Sequence, residues 1–550
     1  MEMTIETVAK AAVTVLCLVC AVAGSARAAA VRSRPDLSPT RKKLIANGWE
    51  FNSLTPRDLQ RLEDALRDGP FDGAIIGYHV EGGDGDEPCT ISTVASGREW
   101  KKEWFAEEVK ALQAFHPSTF TNNFLRAFIT PFQGPNRLAV TRLPWAEDDR
   151  WAALANNLGV LAWVAKQGGL KGLYLDPEEY AHLGQWVYQH PDGDYEATAA
   201  LARRRGAEIM HAIAREYPDI TLILAWLFGY RPETAAGETT SESVRGRGDL
   251  WTAFVNGILD ALPPQATLVD TTKTAYLFQG RDFVDHANRV RNQYVAFAAP
   301  ENRAKYRAQV QVGFGLYIDM DCNALDQRWH FDPLNGSRAH RLRQTVADAL
   351  AATDEYVWLY GEQGCWAHWK TDHIDYTDRP LWEDLLPGAA AAVKLARDPE
   401  GEGSKEIETR RERGQLRNLL DAASTIKSVR AAATVDRFDE WNDAVTEEWL
   451  IQEFPVRPGE WYAVEGRGKA DGPHAWSLHV KWETQSGRLG EGYKDRLIYF
   501  RGESGNAFGV VSVPDGAVRM ALQLRVSQPG TGERCRVSDV GVYSLDTDSY

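Results

Sequence analysis

Short apolar runs alternate with stretches of helical period from about residue 43 to residue 398. Eight runs read as strands: 43–51, 73–79, 123–130, 172–175, 220–228, 267–272, 310–318 and 355–360. Between them, apolar residues recur at three- and four-residue spacing over 57–67, 100–114, 151–167, 197–217, 250–262, 282–309 and 337–352. The strand runs are apolar almost throughout instead of alternating. That pattern predicts strands buried on both faces, hence a parallel sheet clothed in helices. Eight such βα units predict an α/β fold, a (β/α)8 TIM barrel over residues 40–398. An open doubly wound sheet is the competing arrangement, but no GxGxxG follows the first strand.

The pattern then changes twice. Residues 398–413 are highly charged around Gly401 and Gly403, which reads as a solvated linker or frayed helix within a 399–434 connection. Beyond Val435, short alternating strands follow at 460–466, 475–483, 496–500, 509–513, 519–526 and 537–544. Pro458-Gly459 and Pro514-Asp515-Gly516 mark turns between them. This spacing predicts an all-β, jelly-roll-like sandwich over residues 435–550. At the other end, Lys10 precedes an apolar stretch over 11–24. Ser25-Ala26-Arg27-Ala28 then offers an Ala-x-Ala cleavage site. Residues 1–28 are therefore expected to be a signal peptide of a secreted, extracellular or periplasmic, chain. No span long enough to cross a membrane is expected in the mature part.

Composition narrows the function classes. The chain has 550 residues, with 62 Lys plus Arg against 77 Asp plus Glu, a net charge of −15. No basic cluster dominates, so nucleic acid is not an expected partner. Of six cysteines, Cys17 and Cys20 fall in the signal segment. Cys89, Cys322, Cys365 and Cys535 allow three full pairings, and spacing does not choose among them. No Cys/His spacing suggests a zinc site, and no cofactor is expected. Nineteen Trp residues is a high count; more than half are expected in the core, and aromatic faces also serve as platforms for apolar sugar faces.

Active sites of such barrels lie at the C-terminal ends of the strands. Those ends carry Trp49 and Glu50, His79 and Glu81, Asp176 and Glu178 with Tyr180, Trp226 and Tyr230, Asp270, Lys273 and Tyr276, Asp319 and Asp321, then Glu362 and Trp366, while Trp358 lies inside the eighth run and reads equally as core. The opposite ends carry far fewer acids and aromatics. Segments 82–99 and 229–249 are long polar insertions at the same end, as binding loops often are.

Asp176-Pro177-Glu178 is the most informative of these ends. Two carboxylates two residues apart on an extended backbone project to one side, with Cα atoms roughly 6.6 Å apart. Pro177 cannot donate to a ladder, so the strand stops there. Such a pair suits glycosidic bond cleavage, which needs a proton donor and a second group at the anomeric carbon. Glu178 is the expected proton donor, with Asp176 beside it. For the second role three options stand: Glu362, Asp319 or Asp321, or the substrate's own acetamido group oriented by Asp176. Trp49, His79, Glu81, Tyr180, Trp226, Asp270, Tyr276, Trp358 and Trp366 are the expected substrate-binding residues.

Gly172-Leu173-Tyr174-Leu175-Asp176-Pro177-Glu178 resembles the fourth-strand signature of chitinase-like glycoside hydrolases, where an Asp-x-Glu ends the strand. The resemblance implies a (β/α)8 barrel, Glu178 as acid, Asp176 as acetamido partner, and Tyr276 as the tyrosine from a later strand. Lys171 and Leu173 stand in the stretch where the family carries a further Asp. The segments around Glu453 to Tyr462 and Val513 to Ala517 look like accessory carbohydrate-binding modules. The expectation is a secreted glycoside hydrolase acting on a polysaccharide or oligosaccharide. Two rival classes are a non-catalytic carbohydrate-binding barrel, and a metal-dependent hydrolase or deacetylase using His79. The absence of GxSxG and P-loop motifs counts against esterase and nucleotide readings.

Overall fold

The computed structural model of the chain describes residues 42–550 apart from 83–86, 133–141, 181–183, 190–193, 230–238, 372–373, 421–425, 429–433, 436–440, 444–447, 471–474, 489–494, 502–504, 527–533 and 547–550. The expected signal segment and Tyr230 lie outside the described residues. Eight parallel strands form a closed ring: β1 (Lys43–Ala46), β2 (Gly73–Ile76), β3 (Phe124–Phe128), β4 (Gly172–Asp176), β5 (Thr221–Leu224), β6 (Thr267–Asp270), β7 in two pieces (Val310–Val312 and Phe314–Tyr317), and β8 (Tyr356–Tyr360). The first piece of β7 pairs with β6 and the second with β8, and β8 pairs with β1. Gly313 joins the pieces, and its N–H bonds Asp270 O at 2.8 Å.

Both faces of each strand are buried, which is why the runs are continuously apolar. In β1, Leu44 and Ala46 face the helices and Ile45 faces the barrel interior. The interior is filled by Ile45, Ile75, Phe124, Tyr174, Ile223, Val269, Tyr356 and Trp358, so it is a packed core and not a pore. Gly315 of β7 lies flat under Trp358; a Cβ there would sit 2.2 Å from the indole. The outer helices follow their apolar spacing. The helix Asp148–Gln167 buries Trp151, Leu154, Leu158, Leu161 and Ala165 on one stripe, with acids in its first turn and Lys166 in its last.

The first strand is shorter than its apolar run suggests. Asn47 and Gly48 end it, and Trp49–Asn52 forms one helical turn that points Glu50 into the protein. The charged stretch after Asp398 is a packed helix, Pro399–Glu412. Asp398 caps it, Ile407 is buried, and Arg410 and Arg411 bond Ser544 O and Glu465. Two antiparallel sheets follow. Strands Glu448–Pro455, Trp476–Thr484 and Arg519–Val526 lead one; Trp461–Ala470, Asn506–Ser512 and Arg534–Ser544 lead the other. Side chains from both, including Val464, Leu478, Trp482, Leu522 and Val542, share one core, the mark of a sandwich.

The sandwich seats on the barrel through Arg343 of the helix Arg338–Ala352. Its guanidinium lies 2.5 Å from Asp546 and 4.8 Å over the Trp461 ring. The Trp461 indole also donates to Gln344 at 3.0 Å. Trp461, from the segment resembling carbohydrate-binding modules, is therefore spent on joining the two parts and is 3% exposed.

Candidate active site

A cavity of about 410 Å³ opens at the C-terminal ends of the barrel strands. Glu178, just beyond β4, and Glu362, just beyond β8, both line it, from opposite sides of the ring. Its walls are aromatic: Tyr174, Tyr180, Tyr276, Tyr317, Trp329, Trp358 and Tyr360. Tyr276 stacks on Tyr317 with ring centres 5.1 Å apart, and both Tyr174 and Tyr276 meet the Trp358 ring edge-on. Asn47, Arg126, Asp176 and Lys273 complete the lining.

Asp176 is buried and fully engaged. Its Oδ2 lies 2.5 Å from Arg126 Nη2, and its Oδ1 accepts the Glu178 backbone N–H at 3.0 Å. Burial pushes the Asp176 carboxyl up, and the Arg126 guanidinium works against that. Arg126 is itself buried, sandwiched against the rings of Phe128 and Tyr174. Glu178 is thus placed by a rigid pair below it. Its carboxylate accepts from Tyr180 Oη at 2.6 Å and pairs with the Lys273 ammonium, and Thr130 Oγ1 donates to its carbonyl.

Glu362 has the same kind of support. Asp319, fully buried two residues past the end of β7, accepts the N–H groups of Glu362 and Gln363 at 3.0 and 3.1 Å. Burial pushes the Asp319 carboxyl up to about 6. Tyr317 Oη donates to the Glu362 carboxylate at 3.3 Å, and the Tyr360 ring packs against Tyr317 with ring centres 5.9 Å apart.

Six expected residues therefore meet in one cavity: Asp176, Glu178, Tyr180, Tyr276, Trp358 and Glu362. The others are placed elsewhere. Asp319 anchors the Glu362 loop. Asp270 is buried and accepts the N–H groups of Leu227, Phe228 and Gly229. Asp321 is buried two residues after Asp319, in the short helix Asp319–Cys322. His79 and Glu81 lie 3.3 Å apart on and beside a two-stranded hairpin. Trp49 is half exposed with Arg379 over its ring. Trp226 is half-buried against the barrel core. Trp366 lines a second, mostly apolar cavity of about 310 Å³ with Phe71 and Glu50. There Glu50 accepts from Trp366 N and Trp369 Nε1, and burial pushes it up to about 7.

Arg126 and Tyr174 were missed because they sit inside strands. Both share the inward parity of Phe124 and Asp176 on β3 and β4, so a charged residue at an inward position of an apolar run was the available signal. Tyr317 and Tyr360 close their strands in the same way. Cys89, Cys322 and Cys365 are free thiols, pushed up to about 11, 12 and 12 by burial. Among the described residues no cluster of three or more His, Cys, Asp or Glu is arranged to hold a metal ion. Among them, too, no helix is long and apolar enough to cross a membrane.

The sequence matches no protein-family model and no curated protein. Among solved structures it is similar to a xylanase from Paenibacillus barcinonensis complexed with a conduramine derivative (10% identity, 68% of this chain and 100% of that one, TM-score 0.33). It is similar to a 4-O-α-L-rhamnosyl-β-D-glucuronidase from Fusarium oxysporum 12S (9% identity, 90% and 98%, TM-score 0.31). It is also similar to a morphinone reductase variant (13% identity, 62% and 93%, TM-score 0.28). At these TM-scores none of the likenesses bears on the chemistry of the site.

Proposed function

We propose that the chain is a glycoside hydrolase whose catalytic pair is Glu178 and Glu362. The observation that carries this reading is their convergence, from β4 and β8, on one cavity walled by tyrosines and tryptophans. Glycosidic cleavage needs two carboxyl groups flanking the bond, one giving a proton and one acting at the anomeric carbon or on water. Aromatic walls offer flat apolar faces to sugar rings, and the phenol groups offer hydrogen bonds to hydroxyls.

The donors around each acid assign the roles. Glu178 is held against an ammonium, so it serves as the anion: nucleophile or base. The Glu362 carboxylate meets the Tyr317 phenol and, among the described residues, no ion-pair partner, so with Glu178 taken as the anion the proton-donor role falls to Glu362. This reverses the role expected of Glu178 from its neighbour Asp176. Asp176 is a positioning residue here, because Arg126 and the Glu178 N–H take up its two oxygens. An acetamido group would have to displace one of them. The substrate class is a polysaccharide or oligosaccharide, and the chain is a secreted one by its N-terminal segment. A panel of polysaccharides and aryl glycosides, read by released reducing ends, tests the reading. Hydrolysis abolished in both E178Q and E362Q supports it.

A further inference from the structure

Thr272 has the backbone conformation φ 41°, ψ 72°, left-handed for a residue that is neither glycine nor asparagine. A β-branched residue there is a genuine outlier, held only where its surroundings over-determine it. Thr272 is completely buried and lies directly before Lys273, whose ammonium pairs with Glu178.

Its surroundings are specific. Asp270 accepts four backbone N–H groups, from Leu227, Phe228, Gly229 and Thr272. Thr272 Oγ1 lies 3.3 Å from Asp270 Oδ1 and 3.0 Å from His286 Nε2. An Asp270 carboxylate crowded by N–H donors only accepts, so the Thr272 hydroxyl donates to it. His286 must then donate through Nε2–H to Thr272 Oγ1. Burial holds the His286 imidazole down at about 4, which keeps it neutral with a single ring N–H to spend. Gly229 leaves room for this chain; a Cβ there would sit 2.3 Å from Thr272 Oγ1. Lys273 N then bonds Ala225 O at 2.9 Å, which ties the aimed residue to the top of β5.

We propose that Asp270, Thr272 and His286 form a buried positioning chain that holds the Thr272 backbone left-handed and so aims the Lys273 ammonium at Glu178. None of the three touches the cavity. The chemistry they serve is the reading given above, on which this inference rests. Thr272 earns its strained place through its hydroxyl: glycine would adopt the same φ without cost but would leave His286 and Asp270 without their link.

Reductive 13C-methylation of the full chain followed by NMR reports on Lys273, its signal assigned by loss in K273R. The E178Q variant should move that signal, which establishes the ion pair. T272V and T272G should move it towards the E178Q position, and T272S should leave it in place. On any glycan the wild type hydrolyses, T272V should lose about tenfold or more in kcat with KM within about twofold, and T272S should restore it. If T272V does not fold, T272G, for which the backbone conformation is open, carries the test. A Lys273 signal unmoved in E178Q, or unmoved in T272V and T272G, overturns the proposal. The NMR arm needs no turnover, so a chain without hydrolase activity would end the proposed function and still leave the positioning chain to be decided.

Discussion

Asp319 accepts the backbone N–H of Glu362 at 3.0 Å from the neighbouring strand. Asp176 does the same for Glu178 at the same distance, two residues earlier in its own chain. Each proposed catalytic glutamate is therefore fixed at its main chain by a buried aspartate, Asp176 at the end of β4 and Asp319 two residues past the end of β7. Rigid support of this kind keeps reacting groups within the small tolerance that catalysis requires.

Loss of that support should lower turnover without abolishing binding. D319N keeps one acceptor oxygen and presents an NH2 group to the other N–H donor. On a hydrolysed glycan it should lose up to about a hundredfold in kcat, with KM little changed. Steady-state kinetics decide it. A D319N enzyme with wild-type kcat would show that the Glu362 loop holds its place without Asp319.

The second cavity gives a prediction about pH and stability. Glu50 is raised from 4.5 to about 7 by burial, so the folded state holds its proton more tightly than the unfolded chain does. Its stabilising contribution is fully present below about pH 4.5 and is lost as pH rises through about 7. Over that window the loss is about 3 kcal/mol. E50Q has no such proton, so its stability relative to wild type should improve by about that amount between pH 4.5 and 7.5. Urea unfolding of both proteins across the range checks it, and parallel pH curves would contradict it.

The eight strands were legible because burial on both faces leaves an unbroken apolar signature, as in Leu44-Ile45-Ala46 and Gly172-Leu173-Tyr174-Leu175. Strand ends were less so: β1 stops at Ala46, because Gly48 at φ 123° turns the chain into the Trp49–Asn52 helix. The site was half legible. Glu178 and Glu362 stood out as acids at strand ends, but Asp270 and Asp319 stood out equally. Only the folded chain brings loop N–H groups onto the latter pair. Lys273 was visible as a cation at the end of β6, but nothing local tells that the left-handed turn at Thr272 aims it at Glu178. The charged run after Asp398 left linker and frayed helix both open, because its one buried apolar side chain, Ile407, carries no periodic signal.

The seat of the sandwich rests on a buried cation. Arg343 is 1% exposed, pairs with Asp546 and covers Trp461. R343A should destabilise the chain by about 3 kcal/mol, since it takes the guanidinium from Asp546 and uncovers the Trp461 ring. Thermal unfolding measures this. A melting temperature equal to wild type would show that the interface does not depend on Arg343.

The most direct measurement is the hydrolysis of a glycan panel by wild type, E178Q and E362Q side by side, with azide added to an E178G variant. The expected result is cleavage by wild type, a loss of about a thousandfold or more in each Gln variant with melting temperature retained, and partial rescue of E178G if Glu178 acts at the anomeric carbon. Wild-type hydrolysis that survives in E178Q and E362Q would contradict the assignment of the pair.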